Sequence, residues 1–362
     1  MNAKKYNNIK LAISISKAVI TFILIFLFVY LGYSRLLENL ISEYVKNNYI
    51  VFLLFVLITG LVTSILFFPV NFYSEFYLEH KYDLSNQTFL QWITENLKET
   101  LVAGAIGLPL LFIFYYSILS FGDLWWLPFA IILFFVSVVL AKFLPVIILP
   151  IFYKIKPIEN EELKKRIEKL AAEVGMKVEN VYQFNMSKNT KKANAMFTGI
   201  GKTKRIILGD TLLEKFTDDE IETVIAHEMG HYKHKHIIKN IIIGTASSFL
   251  SFFLMAYFYK LSLSWFGFSV LSDIAALPIL SLWAMLIGIV LEPLTNIISR
   301  KFEHEADEYA VRTTDKKDVF IKTLEKLTEQ NLSDKEPHPL VEWFFYSHPS
   351  IKNRIAFLNS LK

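Results

Sequence analysis

Six long runs of apolar residues alternate with polar stretches along this chain. Each run reaches or nearly reaches the ~20 residues that a helix needs to cross the hydrocarbon core of a bilayer. Buried helices of a soluble domain are the alternative for each run alone, but six runs favour a membrane protein. Pro145 and Pro150 predict a kink or an early exit in the fourth run. The runs are Leu11–Tyr33, Tyr49–Val70, Leu101–Phe121, Leu124–Tyr153, Asn240–Tyr259 and Ile274–Leu291.

The basic residues predict how the chain is oriented, because loops rich in Lys and Arg stay on the cytoplasmic side of a membrane. The N-terminus, residues 155–239 and the tail after Ser299 are basic, and an even number of spans separates them. All three are therefore expected on the cytoplasmic side. Arg35 and Lys46 lie in the first loop of the opposite side and are the weakest point of this topology.

Residues 155–239 have the mixed pattern of a small α/β unit. Asn160 fits the N-cap of a helix over Glu161–Val174, and Gly175 fits its C-terminal end. Short β-rich runs around a glycine turn follow this helix. The predicted strands and turn are Val181–Phe184, Ala193–Thr198, Gly199 with Gly201, and Arg205–Leu208. The chain thus divides into a four-span region (1–153), an α/β segment (154–239), a two-span region (240–295) and a C-terminal segment (296–362).

The amino-acid composition limits which kinds of functional site the chain can contain. Hydrophobic residues make up 53% of the chain and charged residues 20%, which leaves apolar surface to face lipid. The absence of cysteine excludes disulfides, thiolate metal sites and a Cys nucleophile. The net charge of +4 comes without a dense basic patch, which argues against nucleic acid binding. The N-terminal apolar run has no small-residue cleavage site after it and is expected to remain as the first span.

A predicted helix with two histidines one turn apart contains the candidate metal-binding residues. Thr217 and Glu220 fit a capping box, so the helix is expected to continue to His231. His227 and His231 then share one face and can bind the same Zn²⁺. Glu228, about 100° round the helix from His227, is placed as a general base. A helix with two surface histidines and a chance glutamate is the alternative.

A catalytic zinc needs a third protein ligand. The metzincin pattern would need a His at Ile237 and a Gly at His234, so a carboxylate from a later helix is expected instead. Glu303 and Asp307 follow the sixth span, four residues apart. Glu303 can ligate zinc, and Asp307 can accept the N–H of a ligating imidazole. Glu305 points elsewhere on this helix. An exposed charged helix next to the membrane is the alternative interpretation.

The other histidines carry less signal. His234 and His236 are expected on the same helix as His231, and a solvated cluster at the membrane edge is the simplest interpretation of His234. His304 is expected to be structural or exposed. His338 lies in a Pro-His-Pro loop and indicates no function.

Three motifs resemble those of the type I CAAX prenyl proteases, which are membrane zinc proteases. They are His227-Glu-Met-Gly-His231 with His236, Asn296-xxx-Arg300-xx-Glu303-xx-Ala306-Asp307, and Tyr346-Ser-His348-Pro-xxxx-Arg354. Shorter matches are Glu79-His-Lys-Tyr-Asp, Asn194-Ala and Ile207-Leu-Gly-Asp-Thr-Leu-Leu. These matches cover most of the chain in the family's order. The chain is shorter than the eukaryotic members and has six predicted spans where they have seven.

The resemblance implies a role for each matching position. The fold would be mainly α and polytopic, with six to seven spans, a gluzincin-like α/β zinc peptidase domain and transmembrane helices that enclose a chamber. One Zn²⁺ per chain would be bound, and the substrate would be a peptide or protein, with or without a lipid. The implied roles are zinc ligation by His227, His231 and Glu303; general base by Glu228; oxyanion stabilisation by His348; support of the ligands by Asp307, His236, Asn296 and Arg300; and substrate binding by Asn194 and Arg354.

Other functions stay open at the level of sequence. A membrane quality-control protease of the HtpX kind would share the zinc site, although it typically has fewer spans before it. A transporter or binding scaffold with a structural zinc, and an inactive relative that binds lipidated peptides, are the non-catalytic alternatives. The expected location is the cell membrane with the catalytic segment on the cytoplasmic side, or alternatively the endoplasmic reticulum membrane. The sequence does not indicate the oligomeric state.

Overall fold

The structure, a computed structural model, describes residues 2–175, 181–198 and 205–361. Most of these residues are helical, and six helical segments among them are long and apolar enough to cross a membrane. The prediction of a polytopic helical protein is therefore confirmed. The six segments are Asn2–Tyr30, Asn48–Lys81, Phe89–Leu124, Trp126–Phe152, His236–Phe266 and Ile274–Thr314.

The first four spans form the N-terminal half. Its fifth helix begins at Phe89 rather than at Leu101, because Thr88 and Gln91 form a capping box well outside the apolar run. The backbone turns π-helical over Leu144–Ile148, at the prolines that predict a kink. The helices are α1 (Asn2–Tyr30), α2 (Tyr33–Tyr44), α3 (Asn48–Asn71), α4 (Leu78–Lys81), α5 (Phe89–Phe121), α6 (Trp126–Phe143) and α7 (Leu149–Phe152).

A four-stranded sheet and three helices form the α/β unit. The strands are β1 (Ile155–Pro157), β2 (Val181–Phe184), β3 (Ala195–Thr198) and β4 (Arg205–Gly209), in the order β1-β2-β4-β3. The helices are α8 (Glu161–Glu173), α9 (Asp210–Lys215) and α10 (Asp218–Lys233).

Two of the sheet's pairings are antiparallel and the central one is parallel. β4 pairs in parallel with β2, whereas β3 pairs antiparallel with β4 and forms one edge of the sheet. The three predicted strands are confirmed, and β1 was missed because three residues are too few to show an alternating pattern. The predicted turn at Gly199 and Gly201 lies outside the described residues.

The C-terminal half is organised around one very long helix. The helices are α11 (His236–Ser262), α12 (Pro278–Thr314), α13 (Lys317–Gln330), α14 (Pro339–Phe345) and α15 (Ile351–Ser360). α12 has 37 residues and continues without a break from the sixth span into the segment that carries Glu303 and Asp307. The predicted region boundaries at 239/240 and 295/296 therefore fall inside α11 and α12.

Two apolar clusters give the fold its core. One lies outside the membrane segments for the most part and packs α8, the sheet, α10, α13 and α15 together, with Ile167, Leu208 and Ile225 fully buried. The other lies inside the helical bundle and includes Tyr115, Trp125 and Tyr259. Many other large apolar side chains of the spans are exposed, as lipid-facing residues are.

α10 and α12 approach each other at Gly230. A Cβ built at this position would lie 2.8 Å from the Cα and 3.0 Å from the carbonyl oxygen of Ala306. Only a glycine lets the two backbones come this close, and the contact lies between the candidate ligands His227 and His231. The glycine therefore sets the distance between the two halves of the site.

We expect Gly230→Ala to lower the melting temperature of the protein in detergent, because overpacking a tight contact reduces the free energy of unfolding by about 1–3 kcal/mol. The matched control is Gly244→Ala on α11, where a Cβ meets no atom within 4 Å. Alanine is the better helix former, so the control should melt at the same or a higher temperature. An unchanged melting temperature for Gly230→Ala would show that α10 and α12 can separate freely.

Candidate metal centre and active site

α10 and α12 bring three possible metal ligands together. The Nε2 atoms of His227 and His231 lie 3.2 Å apart. Glu303 Oε2 lies 3.5 Å from His227 Nε2, and Glu303 Oε1 lies 3.3 Å from His231 Nε2. Two ligands at 2.0–2.1 Å from one tetrahedral ion are separated by about 3.4 Å. The three side chains therefore have the spacing of a zinc-ligand set.

The residues present fit a cation. His227 and Glu303 are only 8% and 4% exposed, so their polar atoms are largely removed from water. Glu303 Oε2 is buried and accepts no hydrogen bond of good geometry, although His348 Nδ1 lies 2.9 Å from it. A buried carboxylate oxygen without a partner is costly. A divalent ion among the three side chains would supply that partner.

A buried ion pair lies behind His227. Asp307 is fully buried, and its Oδ1 lies 2.8 Å from His227 Nδ1. Arg354 donates to both oxygens of the Asp307 carboxylate, with its Nε 2.8 Å from Oδ2. This arrangement fixes the His227 ring so that Nε2 faces the other two ligands. The guanidinium of Arg354, which was expected to bind substrate, is thus engaged with Asp307.

These contacts change the pKa of the groups that they join. Burial lowers the pKa of the His227 imidazole, but the hydrogen bonds to Asp307 and Glu303 outweigh burial and raise it to about 9. Burial likewise lowers the pKa of Arg354, and the charge of Asp307 outweighs it and raises that pKa above its usual value. The carboxylates of the pocket therefore give it an excess of negative charge. A proton on His227 balances this charge, and a bound metal ion would balance it in place of the proton.

A series of polar side chains in contact with one another lies behind His231. Its Nδ1 lies 2.9 Å from His236 Nδ1, and His236 Nε2 lies 2.9 Å from Glu305 Oε2. The His236 ring stacks on Phe302 at a centroid distance of 4.2 Å and is 1% exposed. His236 is therefore well placed to orient His231.

The expectation that His236 continues the helix of His231 is wrong. α10 ends at Lys233, Lys235 adopts a left-handed conformation with φ 57°, and His236 begins α11. The break turns the His236 ring back towards His231. Glu305 does point away from the three ligands, as expected, but sequence reasoning missed its contact with His236.

Glu228 and His348 line one cavity with the candidate ligands His227 and Glu303. The cavity is bordered by His227, Glu228, Glu303, His348 and Asn194. Glu228 is half-buried beside His227, and the His348 side chain is 66% exposed. A carboxylate and an exposed imidazole thus flank the three ligand atoms from a side that is open to a substrate.

Asn296 and Arg300 hold the loop of His348 rather than the ligands. Asn296 Nδ2 donates to the carbonyl of Phe344 at 2.7 Å, and Arg300 donates to the carbonyl of Tyr346 at 2.6 Å. Both contacts support the C-terminal end of α14, just before His348. α12 therefore positions the candidate ligand Glu303 and the His348 loop together.

Asn194 lies at the edge of the sheet next to the cavity. It is exposed directly before β3, and its carbonyl accepts a hydrogen bond from the Gly209 N–H at 2.9 Å. Asn331 holds the preceding residue, Ala193, by donating to its carbonyl and accepting from its N–H at 2.8 Å. Sequence analysis did not identify Asn331. The distance of 138 positions along the chain leaves no local signal for this contact.

Comparisons with known proteins agree with this architecture. Residues 157–362 match the model of peptidase family M48, and residues 1–154 match that of the CAAX prenyl protease N-terminal region, described as having five membrane helices. The described residues of that stretch contain four long apolar segments.

Relatives match along most of their length. An uncharacterized metalloprotease, YhfN, from Bacillus subtilis is 32% identical over 98% of this chain and 84% of its own length. CAAX prenyl protease 1 from Saccharomyces cerevisiae is 34% identical over 80% of this chain and 68% of its own. The crystal structure of S. mikatae Ste24p superposes with a TM-score of 0.86 at 28% identity, covering 99% of this chain and 88% of that one.

The described residues contain six apolar spans and a cluster of two histidines and one glutamate. Together these features define an integral-membrane metalloprotease. The family matches agree on a peptidase. The chain belongs to peptidase family M48, in the branch that carries the CAAX prenyl protease N-terminal region.

Proposed function

We propose that this membrane metalloprotease binds one Zn²⁺ through His227, His231 and Glu303 and cleaves peptide bonds with Glu228 as the general base. The observation that carries this proposal is the convergence of the three ligand atoms within 4.8 Å of one another, next to Glu228. Zn²⁺ supplies Lewis acidity, which polarises a carbonyl and makes water easier to deprotonate.

The chain's own residues supply the remaining steps. The Glu228 carboxylate accepts a proton from the attacking water and returns it to the leaving amine. His348, exposed at the cavity, donates a hydrogen bond to the oxyanion that develops on the scissile carbonyl. The free edge near Asn194 pairs with the peptide main chain, which gives affinity with little side-chain selectivity.

The proposed substrate is a peptide or protein presented at the membrane, with or without a prenyl group. Similarity to proteins named CAAX prenyl protease 1 in yeast and human, over 80% and 86% of this chain, supports the prenylated class. The match of residues 1–154 to the CAAX protease N-terminal region favours this class over an HtpX-like one. The proposed location is the cell membrane, with the peptidase segment on the cytoplasmic side as the positive loops indicate.

Zinc removal tests the proposal. We expect the purified protein to hold one zinc per chain by plasma mass spectrometry, to lose peptidase activity with 1,10-phenanthroline, and to regain it with added Zn²⁺. Farnesylated peptides and the same peptides without lipid, analysed by mass spectrometry, identify the cleaved bond and show whether lipid is required. Cleavage that persists after complete zinc removal would contradict the proposal.

Arg354 offers a separate test of the support behind His227. We expect Arg354→Ala to weaken zinc binding about 10–100-fold, as the loss of groups that orient metal ligands does. It should also destabilise the fold, because Asp307 stays buried without its cation. Zinc affinity is measured against a competing chelator, with Arg312→Ala as control, since Arg312 pairs with Glu308 on the exposed surface. An increased KM with unchanged zinc affinity would instead assign Arg354 to substrate binding.

A further inference from the structure

α14 buries its acidic residue and exposes apolar residues, the reverse of the pattern of a helix at a surface in water. Its acidic residue Glu342 is 9% exposed and points inward, where it accepts hydrogen bonds from Ser350 N–H at 3.0 Å and Asn353 Nδ2 at 2.8 Å. Its large apolar residues point outward, with Leu340 69% and Trp343 47% exposed. A surface helix of a soluble domain buries apolar residues and exposes charged ones. α14 instead turns its polar side to the protein and its apolar side away from it, as a helix in contact with lipid does.

α14 also lies at the height where the sixth span ends. Twenty residues of α12, from Pro278 to Ile297, rise about 30 Å, which is the thickness of a hydrocarbon core. Asn296, at the end of this stretch, donates to the α14 carbonyl of Phe344 at 2.7 Å. Leu294 and Ile297 on either side of Asn296 are 53% and 45% exposed, as lipid-facing residues are. α14 therefore sits where the lipid-facing surface of α12 meets the headgroups.

The residues around α14 suit an interface between lipid and water. Trp343 belongs to the residue type that is enriched at headgroup level, and Phe345 beside it is 38% exposed. The Lys301 side chain, one residue beyond Arg300 on α12, is 76% exposed and can meet anionic headgroups. With seven residues, α14 is about 10 Å long and cannot cross the bilayer. A helix of this length that contacts the bilayer lies along its surface.

We propose that α14 is an in-plane membrane anchor whose Leu340, Trp343 and Phe345 side chains insert among the lipid chains. Its partner is the bilayer itself. The anchor holds the start of the loop that carries His348, because α14 and the loop share the contacts from Asn296 and Arg300. The placement of α14 rests on burial and contacts alone, whereas its value for catalysis rests on the proposed function.

The absence of cysteine from the chain allows a direct test. Single cysteines are introduced by Leu340→Cys and Trp343→Cys. Val290→Cys, on the same exposed face of α12 as Leu294, is the lipid-facing reference, and Lys165→Cys on α8 is the water-facing reference. Each folded variant carries a nitroxide label in liposomes of phosphatidylcholine and phosphatidylglycerol. Power saturation then measures collisions with apolar O₂ and with a water-soluble nickel chelate. Two positions keep the test valid if one variant does not fold.

We expect labels at 340 and 343 to collide more with O₂ than with the nickel chelate, as we expect of the label at 290. A water-like ratio, as at 165, overturns the proposal. Low collision with both reagents also overturns it, because protein or a second copy then covers α14. O₂ collision that falls when a farnesylated peptide is added assigns the face to substrate, and this outcome overturns it as well.

The readout does not depend on catalysis. The same collision ratios are expected in the background of Glu228→Gln, so a failed anchor and a failed peptidase give different results. A protein that cleaves peptides but shows water-like labels refutes the anchor alone. A protein with lipid-like labels and no zinc-dependent cleavage refutes the proposed function alone.

Discussion

Replacing Glu228 by glutamine is expected to reduce kcat by about 10²–10⁴-fold, the range that general acid–base catalysis contributes. Glutamine has nearly the same shape as glutamate but cannot accept the proton of the attacking water. The three ligands on α10 and α12 are unchanged, so the zinc content should remain at one per chain. Stopped peptide-cleavage assays and plasma mass spectrometry on the same preparation measure both quantities.

The matched control for this substitution is Glu325→Gln, at an exposed position of α13 outside the cavity. It should cleave peptides at the rate of the unmodified protein. A Glu228→Gln protein that retains full activity after repeated purification would remove Glu228 from the mechanism. A loss of zinc together with activity would assign Glu228 to the metal site instead.

Glu303→Gln is expected to remove both zinc and activity. A neutral amide is a much poorer ligand for zinc than a carboxylate, and Glu303 is the member of the three-residue cluster that comes from α12. We expect zinc affinity to fall by more than the 10–100-fold of a supporting residue. Competition with a fluorescent chelator measures the affinity directly.

Glu308→Gln provides the control on the same helix, because Glu308 is half-buried, lies outside the ligand cluster and pairs with the exposed Arg312. Its zinc affinity should equal that of the unmodified protein. If Glu303→Gln binds zinc as tightly as Glu308→Gln does, then the third ligand lies elsewhere in the chain.

Local patterns in the sequence were sufficient for the membrane spans and for α10. Thr217 and Glu220 lie three residues apart, and the structure shows both hydrogen bonds of their capping box. His227 and His231 share a helical face by periodicity alone. These features depend on residues that are close along the chain, so one sequence contains all the information that is needed.

Contacts between distant segments could not be predicted in this way. Arg354 reaches Asp307 across 47 positions, and Asn331 reaches Ala193 across 138. Lys235, between α10 and α11, has a left-handed backbone, which the sequence does not signal because the residue is not a glycine. Hydropathy detects only the part of a helix that faces lipid, so it could not show that α12 continues into the site.

Because α12 is one continuous helix, a small rotation at its membrane end displaces residues at its other end. Glu303 lies 25 residues from its first residue, Pro278, which corresponds to about 38 Å along the axis. A pivot of about 5° at that end displaces Glu303 by about 3 Å, whereas metal coordination distances hold within about 0.2 Å. His227 and His231 lie on α10, outside the spans. The tilt of a helix depends on bilayer thickness, so a change in membrane thickness can act on the distance between Glu303 and the two histidines of α10.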